Sequence, residues 1–162
     1  MSGAQKVLIF GGVALATLGM LYGLYYAVFV EHQTLDQMGG SLSQGFVYAA
    51  EQKPAEASTA IDRYAATKYA YVRQVDLHSH WIGLAMLMLV LGAAFDAVAV
   101  NDSARRWAAW GLAAGSFLFP LGVILQVSTQ GSWFAKGLAV AGSALVIAAL
   151  AAIAYGFSRQ NA

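Results

Sequence analysis

A chain of 162 residues that is 59% hydrophobic and 10% charged is too apolar for a soluble domain, since soluble folds carry about 25% charged residues. Its net charge of +1 gives no basis for nucleic-acid binding. The absence of cysteine excludes disulfides, iron–sulfur clusters, thiolate ligation and covalent c-type heme. Any iron or copper must then be held by His, Met, Tyr or a carboxylate.

Val7–Val30 is the first of four runs long enough to cross a bilayer core, which takes about 20 helical residues. It is too long for the hydrophobic region of a secretory signal, about 7–15 residues, and no small-residue cleavage site follows it. The segment is therefore expected to remain in the mature protein. Tyr22, Tyr25 and Tyr26 at its end read as an aromatic belt.

Residues 31–80 form a long connection, expected to be a helical hairpin outside the membrane. Leu35, Met38, Leu42, Phe46 and Ala49 recur at helical spacing. Gly39, Gly40 and Gly45 weaken that helix, at about 1 kcal/mol each. Pro54 suits the first turn of a second helix. Ile61, Tyr64, Ala65, Tyr71, Val72, Val75 and His78 share one side of it. Asp62, Tyr69, Arg73, Asp76 and His80 share another. Without a break, this helix would continue into the second span as one rod. Tyr64, Tyr69 and Tyr71 are expected to cap the bundle.

Asp76-Leu77-His78-Ser79-His80 opens that second span, Trp81–Val100, and holds two of the three histidines; His32 is the third. Imidazole is the commonest metal ligand, and ionisable groups at membrane segments are costly and tend to be functional. Residues two apart on a helix point about 200° apart. His78 and His80 therefore cannot share one ion unless the helix breaks. His78 continues the apolar stripe and faces the bundle; His80 lies one turn after Asp76, close enough for a ring-to-carboxylate hydrogen bond. Interfacial histidines simply wetted by headgroups are the plainer alternative. A heme b site would use His78, with His32 or His80 as a second axial ligand. A copper or other small-ion site would draw on Asp76, His78, His80 and His32, with Met38 or Glu31. Spacing alone does not separate the two.

Asp96 is the one acid inside a span, expected to reach the interface and pair with Arg105 or Arg106. The third span, Trp107–Val127, carries Pro120, read as a kink beside a cavity. The fourth, Trp133–Phe157, has Gly137, Ala141, Gly142 and Ala144, which suggest close helix packing. Lys136 lies one turn inside it; plain snorkelling is the simpler reading, and a heme propionate or anionic lipid the alternative partner.

Four crossings place both termini on one side. Lys6, Arg105, Arg106 and Arg159 share that side, which reads as cytoplasmic. The opposite loop holds Lys53, Arg63, Lys68 and Arg73 against six acids. Trp81 and Trp133 mark one interface, Trp107 and Trp110 the other.

His78-Ser79-His80-Trp81-Ile82-Gly83-Leu84, followed by a Leu/Gly-rich helix, resembles a small four-helix membrane family. That family carries H-x-H ahead of such a helix and itself resembles a fragment of the heme-copper oxidase catalytic subunit. The plan is also similar to styrene oxide isomerase, which binds heme b through a histidine opening its second helix. His78-Ser79 matches that ligand motif, and Asn101-Asp102-Ser103-Ala104-Arg105 resembles its charged turn. The resemblance covers residues 77–127 and the topology. It implies heme b on His78. The isomerase has an Asn shortly after its ligand and Asp and Tyr in its third helix; this chain has Leu84 and a third span without either.

The expectation is one all-α integral membrane domain, a four-helix bundle with an extracytoplasmic hairpin at 31–80, sited in a bacterial inner membrane. The function expected is heme b binding, for electron transfer or within a respiratory complex. The alternatives are a membrane enzyme using heme or copper as a Lewis acid on a small apolar substrate, and a cofactor-free accessory subunit. Partners would be lipid and other membrane subunits or further copies of the chain.

Overall fold

The computed structural model describes residues 1–129 and 131–159. It is all-helical, with α1 at Gly3–Phe29, α2 at Glu31–Ala50, α3 at Pro54–Ala94, α4 at Asp102–Ser128 and α5 at Trp133–Ser158. Four of these, α1, α3, α4 and α5, are long and apolar enough to cross a membrane.

Local chemistry sets the helix ends. Ser2 Oγ accepts from the Gln5 N–H while Ser2 N–H donates to Gln5 Oε1, a reciprocal cap at the start of α1. Asn101 and Ser132 cap α4 and α5 by accepting from the N–H groups of Ala104 and Ala135. Pro54 begins α3, as its fixed φ and missing N–H favour. At the end of α2, Lys53 N–H returns to the Tyr48 carbonyl and Gln52 N–H to that of Ala49. This Schellman closure puts Gln52 at φ 57°, a conformation in which glycine is the usual occupant.

The chain divides into two compact units, one of residues 1–20 and 76–162 and the other of residues 21–75. Of the four long apolar helices, α4 is the most buried. Glycines let the helices close on one another. A Cβ on Gly12 would stand 3.0–3.1 Å from Leu89 and the Ala85 carbonyl of α3, and one on Gly92 would stand 2.8 Å from Ile9 of α1. Gly115, Gly122 and Gly142 bring the α4 and α5 backbones together, Gly122 against Ala139 and Gly142 against Phe119. Of the small residues expected to pack in the last span, Gly142 does so. Gly137 has no neighbour within 4 Å of its Cβ position, and Ala141 and Ala144 are exposed. The buried seam is Ala135, Ala139, Gly142, Val146, Ala149 and Ile153. α4 continues through Pro120, itself buried.

The second span ends earlier than the sequence suggests. α3 stops at Ala94, and a short 3₁₀ turn, Phe95–Ala97, folds back so that Phe95 and Val98 are buried. Ala99 N–H donates to the Gly156 carbonyl, and Val98 occupies the space a Gly156 side chain would need. Burial of Phe95 and Val98 outweighs one more helical turn.

The second unit joins the end of α1, α2 and the first part of α3. α3 runs unbroken for 41 residues, and α2 forms despite Gly39 and Gly40, whose Cβ positions face open space. Gly45 is buried against Ile61. The covered face of α2 is Thr34, Met38, Ser41, Leu42, Gly45 and Tyr48; of the expected apolar stripe Met38 and Leu42 lie on it, whereas Leu35, Phe46 and Ala49 are exposed. The missing Cβ of Gly45 allows closer approach than a Phe46 ring would. Tyr26 is buried and tilts against Tyr71, whose hydroxyl donates to Glu31; Tyr22 donates to Gln74. Tyr71 is thus an inter-helix residue, whereas Tyr64 and Tyr69 lie under Lys68 and Arg73.

Candidate functional site

The two histidines of the Asp76–His80 stretch sit on one uninterrupted helix and therefore face different neighbours. His78 turns toward α1, its Nδ1 2.9 Å from the Gly19 carbonyl oxygen. A carbonyl can only accept, so Nδ1 carries the proton and neutral His78 keeps its lone pair on Nε2. Gly19 makes this approach feasible. A Cβ there would lie 2.9 Å from Ile82 Cδ1 and 3.3 Å from Trp81 Cβ.

His80 turns toward α4. Its ring meets Phe119 edge-on at 4.9 Å, and the adjacent Trp81 stacks on Phe117 at 6.2 Å. His80 Nδ1 lies 2.6 Å from the main-chain carbonyl of Asp76. The expected carboxylate partner is replaced at this nitrogen by a backbone oxygen, because the carbonyl one turn back already points along the helix toward it. Both rings are half-buried, with Leu77 between them buried.

His32 lies in the other unit, on α2, with Nε2 3.4 Å from Asp36. Its side chain is 86% exposed, so it is solvated rather than lodged in a core. Among the described residues, no three His, Asp or Glu side chains gather where they would hold a metal ion. Asp76, His78, His80 and His32 thus include no such group. Of the three rings, that of His78 is the one hydrogen-bonded to another helix, the arrangement usual behind a ligating imidazole. That donor fits one axial position of a heme b, and nothing more of such a site is specified by these residues.

The other singled-out charges have ordinary surroundings. Asp96 is exposed in the 3₁₀ turn and does not form the expected ion pair. Arg105 donates instead to the Val98 carbonyl at 2.8 Å, an oxygen that the unwound turn leaves outside the helical ladder and that also accepts from the Val100 N–H. Lys136 is exposed and reaches back over Gly131, at φ 79° in the α4–α5 turn. That posture is snorkelling toward the helix end.

Gly19 is the residue that sequence reasoning missed. Its role belongs to its carbonyl, and the one signal was a small residue on the bundle side of the first span. Comparisons of the chain with protein-family models, with curated proteins and with solved structures return no match.

Proposed function

We propose that this chain is an integral membrane protein that binds heme b through His78. The observation that carries the reading is the His78 Nδ1 contact with the Gly19 carbonyl, which leaves Nε2 as the lone-pair nitrogen. The resemblance of His78-Ser79-His80 to the H-x-H helix opening of the heme-binding family supports the same residue. When bound, the group would supply reversible one-electron chemistry or an open Lewis-acid position. The chain's own part is to hold the imidazole: Gly19 fixes its tautomer and angle, and buried Leu77 and Trp81 hold α3 in place around it.

His80 faces α4 and His32 is exposed on α2. His78 is therefore the one histidine that this reading assigns to the group. That favours, as a second reading, a membrane enzyme in which the group would act as a Lewis acid on a small apolar substrate, over electron transfer through two histidines of this chain. Lys6, Arg105, Arg106 and Arg159 support cytoplasmic termini and a bacterial inner-membrane location. The exposed Leu35 and Phe46 of α2 support association with other membrane subunits or with further copies of the chain.

The test is a pyridine hemochrome assay on detergent-purified protein. Protoheme in stoichiometric amount, with a spectrum that shifts on adding a small ligand, is expected. Protein without a Soret band, or with stoichiometric copper and no iron, sinks the proposal.

A further inference from the structure

The first turns of α4 carry an amphipathic recess on the membrane-facing surface. Ser103, Arg106, Trp107 and Trp110 share one face of the helix and line a polar-ended cleft. Trp107 also borders a second, apolar trough between α4 and α5, lined by Ala104, Ala108 and Gly111 on one side and Leu145, Ala148 and Ala152 on the other. The small side chains make the trough concave. Trp107 and Trp110 are 77% and 61% exposed, as expected of rings at headgroup level.

Arg106 forms no ion pair with a carboxylate among the described residues. It also borders a third cleft, with Asp102, Arg105 and the first turn of α1. Two guanidinium groups thus stand against one carboxylate. An exposed cation adjoining an apolar trough matches a molecule with an anionic head and a hydrocarbon tail. A bare anion would leave the trough unused, and a neutral lipid would leave Arg106 without a counter-charge.

We propose that this recess is a binding site for one anionic phospholipid, its phosphate on Arg106 between the two tryptophans and one acyl chain along the α4–α5 trough. The site is independent of His78 and of any cofactor there.

The experiment uses the full chain in nanodiscs of equimolar phosphatidylglycerol and phosphatidylcholine with identical acyl chains, followed by native mass spectrometry. Selective retention of phosphatidylglycerol is expected. Arg106→Gln should lower that retention about fivefold, the usual worth of one basic residue at an anionic surface. Ala148→Leu, which fills the trough from an exposed position, should lower it comparably, while Lys6→Gln should leave it unchanged. Circular dichroism of each variant separates lost binding from lost fold, and Ala148→Leu decides the matter if Arg106→Gln does not fold. Equal retention of the two lipids overturns the proposal, as does wild-type retention in Ala148→Leu. So does displacement by millimolar inorganic phosphate, which would mark a plain anion site. A lipid-free dimer would assign the groove to a second copy and overturn it too.

Discussion

The His78–Gly19 contact ties a side chain at one helix opening to the main chain of another, so its integrity depends on a glycine with no side chain of its own. Gly19→Ala places a methyl group 2.9 Å from Ile82 Cδ1. Overpacking of this kind costs about 1–3 kcal/mol, measurable as a lower midpoint of thermal unfolding in detergent. Loss of the carbonyl contact should also weaken heme binding about tenfold, the lower end for removing a partner behind a ligating histidine. His80→Ala provides the contrast. It removes an edge contact with Phe119 and should leave heme occupancy near that of the parent. Residue types and their facing directions were legible in the sequence, because two positions on one helix must diverge. The identity of the partners was not. A carbonyl leaves no trace in residue identity, and the Asp76 main-chain oxygen competes unseen with the Asp76 side chain.

At the scale of elements, the four apolar helices and the hairpin between the first two follow from hydrophobic runs and from Pro54. Helix ends were less legible. The last residues of the expected second span form a turn because Phe95 and Val98 become buried there, Val98 against Gly156 of α5, a tertiary effect that periodicity does not encode. Gly156→Ala tests that account. Its methyl would collide with Val98, and destabilisation of about 1–3 kcal/mol is expected by thermal unfolding. In α2 the opposite sign is expected. Gly39 and Gly40 face open space, so Gly39→Ala and Gly40→Ala should each stabilise the helix by about 0.5–1 kcal/mol. Gln52→Gly should help by a similar amount, by relieving a left-handed residue. Denaturant titration of the purified variants reads these changes, and a loss of stability in all three would show that α2 is not held as described.

For the whole molecule, four long apolar helices describe a chain suited to lipid, and Trp107 and Trp110 are exposed at the start of one of them. The histidines were legible as the residues to examine, yet the ligand set was not. The spacing already parted His78 from His80, but the helix that each ring meets and the exposure of His32 on α2 came only with the fold. The central claim is therefore that His78 would hold the heme, and its most direct measurement is chemical rescue. His78→Gly should purify folded, by circular dichroism, without a Soret band, and added imidazole should restore heme binding. Full heme occupancy in His78→Gly without imidazole would contradict the account.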